Sequence, residues 1–152
     1  MGELSKLLEQ EETITHNGVT YKLSPLTLER QAEFEQWLEN RAWESLERRR
    51  IRMPQHAFDA EAGRIFRDVA ADMYGFFSDC ARNAMAEPLG KGNRQLIYLR
   101  IKANHPDVTE GLVFEIVEKQ GEELLRKIRT MDHDPNSQAP QAGAGDQAPK
   151  AS

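Results

Sequence analysis

The chain has 152 residues, of which 39% are hydrophobic and 30% charged, with a formal net charge of −5 and a pI near 5.4. This length suits one domain with a core of its own, and the acidic balance disfavours overall attraction to nucleic acid or to an anionic membrane. No apolar run is long enough to cross a bilayer, and no signal-peptide pattern opens the chain. The single cysteine excludes an internal disulfide, so we expect a reducing cytoplasm.

The first predicted element is a β-hairpin at Thr13–Leu23. Asn17 and Gly18 supply the two positive φ angles of a type I′ turn, which pairs Ile14 with Tyr21 across the strands. Because side chains alternate along a strand, one face is apolar and comprises Ile14, His16, Val19, Tyr21 and Leu23. A lone hairpin is marginal in water, so we expect this face to dock on the helices that follow or on another chain.

A long helix is predicted from about Leu28 to Arg50, with either Ser24 or Thr27 as its N-cap. Apolar residues recur at spacings of three and four, while charged residues cover the other side. The apolar stripe comprises Leu28, Phe34, Trp37, Leu38, Ala42 and Leu46. Trp43 lies off this stripe, so it is either a boundary residue or part of an exposed patch.

A second long helix is predicted from about Phe58 to Ala84, ending before Pro88. It carries the strongest apolar stripe of the sequence, which comprises Ala62, Ile65, Phe66, Val69, Met73, Phe76, Phe77 and Cys80. This stripe is the predicted centre of the core. Gly63 and Gly75 lower the helix propensity, although they would permit a close helix crossing.

The last third of the body contains three further helical patterns. One starts with Asn93 as its N-cap and runs to the His-Pro pair at 105–106. Thr109 then caps a short helix, and Gly121 separates it from a final amphipathic helix that ends near Met131.

These elements predict a mainly α protein with a small N-terminal β-hairpin, an α+β class in which about four to five helices pack as one bundle-like domain. The domain spans residues 13–131. A flexible arm at 1–12 precedes it, and a tail at 132–152 follows. The tail is rich in Pro, Ala, Gly, Gln and Ser, a composition that predicts disorder.

The sequence offers no constellation typical of catalysis or metal binding. The four histidines lie apart, and none pairs with another ligand residue at metal-binding spacing. Cys80 falls on an apolar stripe and is expected to be a small buried hydrophobe. Gly90-Lys91 lacks the upstream glycine and the following hydroxyl of a phosphate loop. We therefore expect no enzyme, no cofactor and no metal.

A basic cluster marks the end of the first long helix and comprises Arg48, Arg49, Arg50 and Arg52. One interpretation is a nucleic-acid contact. The favoured interpretation is a solvated helix C-terminus, where cations complement the helix dipole, or a contact with an acidic protein partner. Because no aromatic residues interleave with the arginines and the chain is acidic, nucleic acid is the disfavoured partner.

Two segments resemble phage tail assembly chaperones. The first, at 14–28, reads Ile-Thr-His-Asn-Gly-Val-Thr-Tyr-Lys-Leu-Ser-Pro-Leu-Thr-Leu and leads into an acidic, Trp-bearing helix. The second, at 96–113, reads Leu-Ile-Tyr-Leu-Arg-Ile-Lys-Ala-Asn-His-Pro-Asp-Val-Thr-Glu-Gly-Leu-Val, in which an apolar helix ends at His-Pro and a Thr-capped helix follows. The middle of the chain, at about 48–86, resembles the family only in being helical.

The resemblance implies a protein of long-tailed phages or prophages that acts during tail morphogenesis in the bacterial host cytoplasm and is absent from the mature virion. Such chaperones bind and solubilise the tape measure protein and help recruit tail tube subunits. On this hypothesis the contact residues are Tyr21, Trp37 and Trp43, with the arginine cluster at the rim. Self-association stays open. The alternative is a small nucleic-acid-binding regulatory protein that uses the Arg48–Arg52 cluster.

Overall fold

The computed structural model describes residues 12–132, which form a two-stranded hairpin followed by five helices. The elements are β1 (Glu12–His16), β2 (Val19–Leu23), α1 (Leu28–Arg49), a 3-10 turn (Arg50–Arg52), α2 (Gln55–Ala70), α3 (Asp79–Ala84), α4 (Lys91–Lys102) and α5 (Glu110–Asp132). The predicted fold class is confirmed. Apart from Glu12 and Asp132, the predicted arm and tail lie outside the described residues.

The hairpin has the register that its Asn-Gly turn predicts. Asn17 and Gly18 adopt φ angles of 51° and 79°, as a type I′ turn requires. Ile14 and Leu23 are buried together with side chains of α4 and α5, whereas Val19, beside the turn, is half exposed. The apolar face therefore docks on helices of the same chain.

Helix α4 lies between two clusters of buried apolar side chains. Ile97 and Ile101 belong to the first cluster, which α4 forms with the hairpin and α5. Leu96 and Leu99 belong to the second cluster, which it forms with α1 and α3. Since α4 is apolar on both sides, it joins the two halves of the core.

Arg100 of α4 is buried at the junction of the hairpin and α5, with only 4% of its surface exposed. Its Nη2 donates hydrogen bonds to both carboxylate oxygens of Asp132, at 3.2 and 2.9 Å. Its Nη1 donates to the carbonyl oxygen of Ser24 at 3.2 Å, and the N–H of Ser24 donates to the Arg100 carbonyl at 3.0 Å. These bonds satisfy a buried cation. They also hold the end of α5 and the residue that follows β2 against α4.

The prediction of one helix from Phe58 to Ala84 is wrong, because the chain leaves the helical path between α2 and α3. Asp72 adopts a left-handed φ of 57°, which stops a helix. The N–H of Gly75 donates to the Asp72 carbonyl at 3.2 Å. Ser78 then caps α3, its hydroxyl accepting a first-turn N–H at 3.2 Å.

The predicted apolar stripe is consequently not the centre of the core. Ile65 is buried in α2, and Phe76 and Cys80 pack partly buried against the second cluster. The remaining large members are exposed, namely Phe66, Val69, Met73 and Phe77. The pattern extends through a stretch that is not helical, so it does not describe one continuous helix stripe and does not predict which of these residues are buried together.

Three other helix boundaries either were left open by the sequence pattern or lie at positions other than those predicted. Thr27 caps α1, its hydroxyl accepting a backbone N–H at 3.3 Å. Helix α4 has Gly90 rather than Asn93 as its N-cap, and the Asn93 amide donates to two preceding carbonyls at 3.0 and 2.6 Å. The two predicted C-terminal helices meet at a kink within α5, where Gln120 has non-helical angles (φ −134°, ψ 25°), one residue before the predicted break at Gly121.

Gly92 marks a close crossing of α3 and α4, where a Cβ atom would overlap the carbonyl oxygen of Ala84. We expect Gly92→Ala to lower the free energy of unfolding by about 1–3 kcal/mol, because backbone must shift. The matched control is Gly111→Ala in α5, where a Cβ meets open space; it should raise stability by about 0.4–1 kcal/mol. Urea denaturation measures both, and unchanged stability of Gly92→Ala would contradict the crossing.

Candidate protein-binding surface

Helices α1 and α2 form a helical hairpin that carries aromatic side chains. Leu46 of α1 and Ile65 of α2 are buried. The Trp43 ring meets the Phe66 ring edge-on, with centroids 4.9 Å apart. The Trp43 indole N–H also donates to the Glu39 carboxylate at 3.2 Å. Trp43 is therefore a half-buried boundary residue whose neighbour on α2, Phe66, is exposed.

Four of the eight large hydrophobic side chains that are exposed among residues 12–132 fall between positions 66 and 77. We call this set the exposed apolar segment; it comprises Phe66, Val69, Met73 and Phe77. Phe66 is 67% exposed, Met73 52% and Phe77 80%. Single exposed apolar residues are ordinary, but four of them lie here within twelve consecutive residues, which makes the segment a candidate protein-interaction surface.

The two other aromatic residues predicted as contacts are half-buried and lie apart. Trp37 stacks on Phe34 with centroids 5.4 Å apart, and the Arg41 guanidinium lies 4.8 Å from the Trp37 ring centroid. Tyr21 packs edge-on against His105, at 5.2 Å, beside the first cluster. The structure thus places Trp37 and Trp43 on α1 and Tyr21 on the opposite side of α4.

The four predicted arginines are exposed where α1 passes into the 3-10 turn: Arg48, Arg49, Arg50 and Arg52. The Arg49 Nε donates to the carbonyl oxygen of Ser45 at 3.3 Å. Arg50 pairs with Glu47 at 3.1 Å and lies 4.7 Å from the Phe58 ring centroid. This placement agrees with a solvated helix C-terminus, in which cations satisfy terminal carbonyls and complement the dipole.

An acidic groove of about 190 Å³ runs between α1 and the connection that follows α2. We define it by its lining residues, which are Ala32, Glu35, Gln36, Glu39, Val69, Asp72 and Tyr74. The Glu35 carboxylate accepts the N–H of Phe76 at 2.6 Å, which fastens the connection to α1. Burial raises the pKa of Tyr74, with Asp68 and Glu39 adding to the rise and Arg64 opposing it.

The histidines near the hairpin have structural partners. His16 is buried with its Nε2 3.1 Å from a Glu115 carboxylate oxygen. The Nε2 of His105 accepts the N–H of Lys22 at 2.8 Å. Across residues 12–132, no three His, Cys, Asp or Glu side chains are grouped so that they could hold a metal ion. None of the helices in that range combines the length and apolar character needed to span a membrane.

Comparison with known proteins gives no relative: no family model matches the chain, and searches of curated proteins and of solved structures found none that resembles it.

Sequence reasoning missed the exposed apolar segment because it assigned those residues to the core. A signal was nevertheless present. Gly75 lies inside the apolar pattern, and Ser78-Asp79 provides an N-cap followed by an acidic first turn, which together indicate a new helix start. A helix that ends before Gly75 interrupts the stripe, so the pattern on its two sides does not require all of these side chains to be buried.

Cys80 packs against the second cluster, and burial raises the pKa of its thiol, with Arg41 opposing the rise. We expect iodoacetamide to alkylate the folded protein with a pH midpoint above that of the urea-unfolded chain, since the thiolate is the nucleophile. By linkage, Cys80 favours the folded state below the thiol pKa of the unfolded chain, and this contribution is lost as pH rises through the folded value. Limited access to the thiol slows alkylation at every pH without moving the pH midpoint, so the midpoint reports ionisation of the thiol. Equal midpoints for the folded and the unfolded chain would contradict the prediction.

Proposed function

We propose that this protein is a non-enzymatic assembly chaperone that binds amphipathic helices of a partner protein. The observation that carries the proposal is the exposed apolar segment, of which Phe66 lies on α2 against Trp43 while Met73 and Phe77 lie in the connection that follows. Amphipathic helices are commonly bound by laying their apolar side on such a surface. The resemblance of residues 14–28 and 96–113 to phage tail assembly chaperones supports the same class of function.

The energetics favour such a contact. Fully burying a phenylalanine side chain contributes about 1.5–3 kcal/mol, before the costs of ordering and association are subtracted. Phe66 is 67% exposed and Phe77 80%, so covering either side chain recovers a large part of this term. Met73 lies between them in sequence, and its flexible side chain suits a surface that accepts varied partner helices.

The partner proposed from the resemblance is the tape measure protein, with the tail tube protein as a second one. The setting is the bacterial host cytoplasm, and the chaperone leaves before the virion is complete. The nucleic-acid alternative has less support, because Arg49 and Arg50 bond to their own helix and Arg50 also lies on Phe58. The three carboxylates of the acidic groove, between α1 and the connection that follows α2, would also repel phosphate.

Co-expression with the neighbouring tape measure protein tests the proposal. The wild-type chain should raise the soluble fraction of that protein several-fold, and Met73→Ser/Phe77→Ser should lose most of this effect, because the apolar contact is removed. The control is Val19→Ser/Leu28→Ser, which changes two exposed apolar residues outside the segment and should behave as wild type. If the wild-type chain leaves the tape measure protein insoluble, the proposal is wrong.

A further inference from the structure

We infer that the segment recognised by this surface is a basic amphipathic helix, which lays its apolar side on the exposed apolar segment and its cations in the acidic groove. The inference rests on the proposed function and adds the chemical class of the partner. The proposed function specifies only the apolar side of the partner helix, and this inference adds the charge of its polar side.

The apolar and acidic parts of the surface adjoin. Val69 belongs to the exposed apolar segment and also lines the acidic groove. Asp72, another lining residue, directly precedes Met73 in the chain. A helix lying over Val69 would therefore bring its flanking polar side chains against the groove. An amphipathic helix has apolar and polar residues on adjoining sides, as this arrangement requires.

The groove presents three carboxylates, from Glu35, Glu39 and Asp72, and no cation among its lining residues. Glu35 and Glu39 are held in place by single hydrogen bonds, from the Phe76 N–H and the Trp43 indole respectively. Each carboxylate has a second oxygen that can accept a bond from a partner. Fixed carboxylates lose little side-chain entropy on binding, which favours charge-assisted bonds to lysine or arginine.

Two neighbouring arginines have partners of their own. Arg64 pairs with Glu61 at 2.8 Å, and Arg41 lies over the ring of Trp37. Burial is the main cause of the raised pKa of Tyr74; the Asp68 and Glu39 carboxylates add to the rise, and Arg64 opposes it. Complementary charge at this position would steer a basic helix to the surface and reject an acidic one.

A second copy of the chain fits this surface less well. In a two-fold symmetric contact the same patch meets itself, so the acidic grooves of both copies would approach each other. Like charges in such a contact are costly. Only a head-to-tail contact would bring the exposed arginines of one copy near the groove of the next. Analytical ultracentrifugation would detect such an assembly by its sedimentation.

The test uses two synthetic amphipathic peptides of about 18 residues, or five helical turns. Both carry the same leucine stripe; one has lysine and arginine on its polar side, and the other has glutamate. Titration into the full-length protein should show that the basic peptide binds and that added salt weakens its binding. Amide NMR shifts should change at residues 35–39 and 66–77, and the acidic peptide should bind far more weakly.

Charge-neutralising variants assign the effect to the groove. In Glu39→Gln/Asp72→Asn, the glutamine still offers an oxygen acceptor to the Trp43 indole, and the introduced asparagine tolerates the left-handed φ of Asp72. The circular dichroism spectrum should therefore match that of the wild type. This variant should weaken binding of the basic peptide about three- to tenfold. The control, Asp107→Asn/Glu118→Gln, removes the same net charge from exposed positions before and within α5 and should leave the affinity unchanged.

The outcomes separate this inference from the proposed function. Equal affinity for both peptides, or an equal loss in the control variant, would overturn the basic-helix assignment even if the tape measure protein is solubilised. Sedimentation as a dimer that the basic peptide does not dissociate would also overturn it. Selective binding of the basic peptide without solubilisation of the tape measure protein would support the inference and contradict the proposed function.

Discussion

The structure depends on one helix that is buried on two sides. Helix α4 buries seven of its twelve residues, and its apolar side chains divide between the hairpin–α5 cluster and the α1–α3 cluster. Arg100 adds a polar constraint to this position, because its bonds to Ser24 and Asp132 are formed only when the hairpin exit, α4 and the end of α5 meet. Losing either partner would leave a buried cation incompletely paired, which is costly.

This arrangement explains why the exposed apolar segment is not part of the core. The second cluster is filled from α1, α3, α4 and the connection before α3, so α2 is left to pack mainly on α1. Only one of the sixteen residues of α2 is buried. The hydrogen bond from the Phe76 N–H to the Glu35 carboxylate holds the connection against α1. Met73 and Phe77, which lie in the same connection, are exposed. A surface held in this way is available for a partner helix without local unfolding.

Local patterns in the sequence were sufficient for the hairpin, because an Asn-Gly turn fixes its own register, and for the extent of α1, although Leu28 of its predicted stripe is exposed. They failed between α2 and α3, where a left-handed Asp72 ends the helix and tertiary packing decides which aromatic residues are buried. Trp37 and Trp43 were rightly placed on one helix, but Phe66 and Phe77 were assigned to the core. Burial is a property of the assembled fold, so periodicity alone could not separate Phe76, which is packed, from Phe77, which is exposed.

Native-state hydrogen exchange tests most directly whether α4 organises the fold while α2 is peripheral. Amides of residues 96–101 should exchange most slowly, through openings close to global unfolding, because both clusters must come apart to expose them. Amides of α2 should exchange faster, through a smaller opening that separates α2 from α1 and leaves α4 protected. If α2 proves as strongly protected as α4, the helical hairpin is part of the central core, and the account given for its exposed surface is wrong.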